Sequence, residues 1–168
     1  MEHVTGTASL RRVGRFGFPA FELAGDDGRI YALLGRTGWF RVFFGRGRRI
    51  ELPDGTRWRL RAAGYGPYLA PLITGGQGKL VVALPESKLR YGINGRDYAY
   101  HFYPQDGRRR SSSVWTLREH ETDLAAFRQD LVDARHPVPL PAVLLCYTMM
   151  KYGIPGEGRF GIPELRWT

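Results

Sequence analysis

Between Leu140 and Met150 only Thr148 is polar, and this is the one long apolar run in a chain otherwise built of short alternating segments and glycine-rich turns. An amphipathic surface helix places polar residues at every third or fourth position. This run has no such face, so a helix here has to be enclosed on all sides. At 1.5 Å rise per residue it is about 17 Å long, short of the roughly 20 apolar residues that cross a bilayer. The run therefore predicts a buried helix ended by Gly153, and the rest of the chain has to supply its walls.

From residue 14 to about 118 the pattern is strand, turn, strand. Asp26-Asp27-Gly28 separates Phe21–Leu23 from Arg29–Leu34, and Pro53-Asp54-Gly55 separates Arg49–Leu52 from Thr56–Arg61. In both, Asp-Gly supplies the positive φ that tight hairpin turns need. Trp39–Phe44 reads as a further strand turning at Gly45. Trp58 and Leu60 alternate with Arg57, Arg59 and Arg61, which places the aromatic and aliphatic side chains in the core and the three arginines in water. Lys79–Leu84 is a compact apolar strand. Asn94-Gly95, between Leu89–Ile93 and Arg96–Tyr103, predicts a two-residue type I′ hairpin, and Gln105-Asp106-Gly107 turns the chain again before Ser113–Leu117. Eight to ten strands at this spacing indicate an all-β sandwich or barrel.

The pattern changes at Thr122. Leu124, Phe127, Leu131 and Ala134 recur at three- and four-residue intervals, which predicts an amphipathic surface helix ended by His136-Pro-Val-Pro. The expected fold class is thus mainly β, a barrel of antiparallel hairpins, with a buried apolar C-terminal helix and one amphipathic surface helix. One domain spans residues 1–168, with residues 1–13 expected to be loosely ordered and Arg159–Trp167 an extended tail.

Catalytic and metal chemistry find little support. His3, His101, His120 and His136 are scattered without ligand spacing, and the single cysteine, Cys146, lies inside the apolar run, where a thiol behaves as a small hydrophobe. Gly75-Gly-Gln-Gly-Lys79 resembles the end of a phosphate-binding loop but has Leu80 after the lysine and precedes a strand. No catalytic residue, metal or cofactor is assigned. An enzyme acting on a phosphodiester through His101 is the least favoured reading, because a solvent-facing histidine on an aromatic strand explains the same residues.

The basic excess is the remaining signal. The formal net charge is +9, and 22 of the 25 basic residues are arginine. A GC-rich genome alone can enrich arginine, but the placement is suggestive: between Arg29 and Arg61 nine arginines face only Glu51 and Asp54. Two triplets, Arg46, Arg48, Arg49 and Arg108, Arg109, Arg110, fall at predicted hairpin tips. If both tips share one end of a barrel, six guanidinium groups form an anion-binding surface suited to phosphoinositide or other acidic headgroups, or to an acidic partner. An alternative is nucleic-acid binding, with Trp39, Trp58, Tyr98 and Tyr100 as stacking platforms beside arginine–phosphate contacts. The absence of an apolar signal segment or a membrane-spanning run leads to the expectation of a cytoplasmic protein, peripheral to membranes at most.

Successive hairpins followed by the apolar helix Pro139–Gly153 resemble the Tubby C-terminal-like superfamily, which includes LURP-one-related and phospholipid scramblase-like proteins. The resemblance covers nearly the whole chain and rests on architecture. It implies a barrel of about twelve strands around a central hydrophobic helix, and a non-enzymatic module that binds acidic lipid headgroups or other partners. No family site residue can be placed on a position of this chain, and a cysteine-rich palmitoylation segment is missing.

Overall fold

A computed structural model describes residues 1–14, 20–35, 48–63, 70–87, 89–108 and 112–152. Among the described residues there are twelve strands: β1 (His3–Val13), β2 (Ala20–Gly25), β3 (Ile30–Leu34), β4 (Arg48–Glu51), β5 (Arg57–Ala63) and β6 (Ala70–Gly75) lead to β7 (Gly78–Ser87), β8 (Arg90–Gly95), β9 (Ala99–Pro104), β10 (Trp115–Glu119), β11 (Thr122–Arg128) and β12 (Leu131–Pro139). One helix, α1 (Leu140–Tyr152), follows. Each strand pairs antiparallel with the next in sequence, and β1 pairs with both β2 and β12, so the sheet closes into a twelve-stranded up-and-down barrel.

The expected helix is enclosed. Every residue from Leu140 to Met149 is buried, and Leu144 is only 1% exposed. α1 touches β1 and β12 on one side and β6 and β7 on the other. In a ring of twelve these pairs are diametrically opposed, so the helix runs through the interior. The size fits. Twelve strands spaced about 4.8 Å apart and tilted by about 40° give a barrel about 24 Å across; of the roughly 12 Å from axis to wall, a helix about 10–12 Å in diameter takes about 5–6 Å and the inward strand side chains fill the rest. The helix enters where Leu140 N–H donates to the Glu2 carbonyl (2.9 Å), and the Tyr147 hydroxyl donates to the Asp130 carbonyl at the opposite end (3.0 Å).

Three Asp-Gly turns form as expected, with Gly28, Gly55 and Gly107 all at positive φ. The surface helix expected over 122–134 does not form. That segment is the hairpin β11–β12, turned by Gln129-Asp130, with Gln129 at φ 51°. Its apolar spacing mimics a helix because β11 carries a bulge. Leu117 pairs with Ala125 but Arg118 with Asp123, so Leu124 is the extra residue and both Leu124 and Ala125 are buried. His120, placed by the sequence at a helix start, instead sits at φ 50° in the β10–β11 turn. His136-Pro-Val-Pro belongs to β12, which bulges against β1 where Val4 pairs with Val138 and Gly6 with Ala134. Pro137 is accommodated there because neither neighbouring strand pairs with it.

Two further expectations change. Residues 1–13, expected to be loosely ordered, contain β1, the strand that closes the barrel. Asn94-Gly95 is not a two-residue turn: Asn94 pairs with Ala99, and Arg96, Asp97 and Tyr98 turn the chain. Gly95 is required because the Tyr98 ring lies where its Cβ would be. The strand expected at Trp39–Phe44 and the tail Arg159–Trp167 lie outside the described residues.

Candidate anion-binding surface

α1 fills the barrel with its own side chains, which join the inward faces of the strands in one core. Ligand chemistry therefore belongs to the outer wall and the rims. An up-and-down meander fixes which loops share a rim. The β3–β4 and β9–β10 connections lie at the same end, where α1 reaches Asp130, but they are six strands apart in a ring of twelve. Arg48–Arg49 and Arg108 thus stand on opposite sides of one rim, about 24 Å apart by the barrel diameter. One small headgroup cannot bridge them. Arg46, Arg109 and Arg110 lie outside the described residues.

The members of the first triplet also face different ways. In β4 Arg48 and Ile50 are buried while Arg49 is exposed, as period-two alternation requires. Arg48 is 7% exposed. Its Nε donates to the Gly35 carbonyl at 3.2 Å, and its guanidinium lies 5.0 Å from the centre of the Phe21 ring, within cation–π range. Arg108 is exposed in the β9–β10 turn, where its backbone N–H donates to Asp106 Oδ1.

The outer wall of β4 and β5 was only partly legible as a site. Arg57, Arg59 and Arg61 project outward as expected, and the register adds Arg49 directly opposite Arg59. Like charges facing each other across a strand pair are destabilising by a fraction of a kcal/mol, about 0.2–1. Glu51 is the single carboxylate on these two strands; it accepts from Arg49 at 3.2 Å and lies 3.8 Å from Arg57. The guanidinium groups of Arg59 and Arg61 have no carboxylate partner among the described residues. Elsewhere on the barrel the balance is more even: Arg29 pairs with Glu2, Arg90 with Glu86 and Arg118 with Asp123.

His101 faces outward, as alternation predicts, and its Nδ1 lies 2.8 Å from Glu86 Oε2. The carboxylate reaches across β8 because Gly92, the register partner of His101, has no side chain; a Cβ there would meet Glu86 Oε1 at 2.9 Å. Of the aromatic residues expected as stacking platforms, Trp58 and Tyr100 are buried in the core and Tyr98 packs against it, stacked on Tyr100 at 4.8 Å. Trp39 lies outside the described residues. Burial raises the Tyr100 hydroxyl to about 12 and pushes Tyr98 higher still. Among the described residues no group of three or more His, Cys, Asp or Glu side chains could hold a metal ion, and no helix is long and apolar enough to cross a membrane.

Compared with protein-family models, with curated proteins and with solved structures, the chain finds no match.

Proposed function

We propose that this chain is a Tubby-like barrel that works as a non-enzymatic binding module, engaging anionic lipid headgroups at a membrane surface through arginines on its outer wall. The observation that carries the reading is the outward set Arg49, Arg57, Arg59 and Arg61 on two adjacent strands, offset by Glu51 alone. Four guanidinium groups on a rigid sheet meet a plane of phosphates without reorganising, and each contributes about 1 kcal/mol near an anionic leaflet. The closed meander with a central apolar helix supports the Tubby-like assignment. Turning Trp58 and Tyr100 into the core leaves phosphate contacts without base stacking, which favours a lipid surface over single-stranded nucleic acid.

The test is co-sedimentation with phosphatidylcholine vesicles carrying phosphatidylserine and phosphatidylinositol bisphosphate, against pure phosphatidylcholine. The wild type binds only the anionic vesicles, and less at high salt. Arg49→Glu with Arg59→Glu changes the wall by four charges and lowers binding on the order of a hundredfold or more. Equal binding by the variant rejects the wall as the contact surface.

A further inference from the structure

The outer face of β6 and β7 changes character along its length. Thr74 is the register partner of Arg59 on one side and of Lys79 on the other, so Arg49, Arg59, Thr74 and Lys79 form one transverse row across four strands. Lys79 is exposed and, like Arg59, has no carboxylate partner among the described residues. Two residues further along the strands, about 7 Å, the row is Arg61, Leu72 and Val82. Ile73, Val81 and Ala83 are buried on the inner face, so by alternation Leu72, Val82 and Leu84 project outward. Leu72 and Val82 are partly exposed, and Leu84 is 41% exposed. On β8 the partner of Leu84 is Gly92, over which Glu86 reaches His101, and Glu86 also pairs with Arg90. The apolar patch is thus bounded by unpaired cations at one end and by a charge-paired cluster at the other.

We propose that Leu72, Val82 and Leu84 enter the boundary between headgroups and acyl chains of an anionic leaflet, while the row from Arg49 to Lys79 holds its phosphates. The inference rests on the lipid-surface reading and adds to it the depth and orientation of docking. Side-chain length fits a tilted approach. Leu84 lies about 13 Å from the cationic row along the strand direction, so a barrel tilted toward its Leu84 edge immerses the short apolar side chains. The longer arginine and lysine stems then span the gap that the tilt opens over the row. Surfaces of this kind gain from apolar burial and from attraction to anionic lipid together.

Charge selects this occupant. A symmetric contact with a second copy apposes the same patch on both chains and so brings one cationic row toward another. Leu33, also exposed on the outer wall, is the register partner of Glu22 and Glu51, carboxylates that an anionic leaflet repels. Only the β6–β7 patch adjoins unpaired cations in this way among the exposed leucines of the strands described.

The test places a nitrobenzoxadiazole probe on Leu84→Cys. Cys146 is fully buried and stays unlabelled in native protein. Asp133→Cys, exposed on β12 at the far side of the barrel, carries the control probe. With vesicles of phosphatidylcholine, phosphatidylserine and phosphatidylinositol bisphosphate, the Leu84 probe shifts to shorter wavelength and is quenched by spin-labelled acyl chains, while the Asp133 probe does neither. Unlabelled Leu84→Ala binds the same vesicles about fivefold more weakly, the effect of losing burial of the exposed two-fifths of three carbon groups, and keeps the wild type's salt dependence. If the wild type binds no anionic vesicles, the lipid-surface reading and this inference fall together. Vesicle binding with an unshifted Leu84 probe, or with equal shifts at both positions, leaves the wall as the contact and overturns insertion alone. A shift that needs no vesicles and grows with protein concentration identifies a second copy as the occupant and overturns it too.

Discussion

Truncating Leu144 to alanine measures how completely the barrel holds its helix. The side chain is 1% exposed and sits mid-way along α1, with barrel wall on opposite sides. Leucine-to-alanine changes in cores cost about 2.7–5 kcal/mol, and the cost rises with the volume that cannot collapse. Here collapse is limited from every direction. The wall is a sheet hydrogen-bonded to itself around the full circumference, so it cannot move in locally without straining neighbouring ladders. A value in the upper half of the range follows, about 4 kcal/mol, equivalent to a fall of roughly 8–16 °C in Tm for a chain of this size. Urea unfolding followed by the fluorescence of the core tryptophans Trp58 and Trp115 reads it directly. Leu131→Ala is the control: the same chemical change on a residue 41% exposed should cost less than about 1 kcal/mol. A Leu144→Ala loss below about 1.5 kcal/mol, close to the control, would refute enclosure, and a folded Leu144→Asp variant would do so outright.

Cys146 is wholly buried and burial raises its thiol pKa, so a thiol reagent should label it only at the rate of global unfolding; fast labelling of native protein would contradict the packing of α1. Gly95→Ala places a methyl group where the Tyr98 ring lies and should destabilise by about 1–3 kcal/mol, with much of the loss recovered on adding Tyr98→Ala in a double-mutant cycle. Tyr100 titrates near 12 in the folded state and Tyr98 above that, against about 10 when unfolded. Their contribution to stability is present below pH 10 and is lost as pH rises toward 12, because the unfolded chain releases these protons first. Alkaline unfolding should therefore accompany late phenolate absorbance, and a native protein whose tyrosines all ionise at 10 would refute it. His101→Ala removes a half-exposed pair with Glu86 and should change stability by no more than about 1 kcal/mol.

Features with one local cause were legible in the sequence. The enclosed helix follows from an apolar run without a polar face, and three hairpins follow from Asp-Gly. What could not be read depends on pairing. Gln129 and His120 occupy positive-φ turn positions without the Gly or Asn that normally mark them, so two hairpins carried no turn signal. The bulge at Leu124 shifts the alternation of β11, and the sum of two strands and a bulge reproduces helical spacing across 124–134. Asn94-Gly95 misled for the opposite reason: the glycine makes room for Tyr98 rather than turning the chain. In the candidate site, the outward arginines of β5 were evident from alternation with Trp58 and Leu60. Arg48 was grouped with exposed tip residues, although its two-residue offset from Ile50 already placed the two on one face. The charge cluster masked the period.

The direct passage from β12 into α1 ties closure and filling into a single event. Eleven strands can be laid down pairwise by neighbours in sequence, but β1 has to wait for β12, and the interior has to wait for the residues immediately after it. During synthesis the growing meander is an open, curved sheet with β1 as an unpaired edge and an apolar concave face that nothing covers, the condition most exposed to edge-to-edge association. Contacts between β1 and β12, the pair most distant in sequence in this sheet, also have the largest loop entropy to overcome, which makes closure a slow step. Quality control of this protein in the cell thus hinges on the β12–α1 segment: a lesion between residues 131 and 152 disables the whole barrel, while an equally large change in a mid-sheet turn leaves the seam intact.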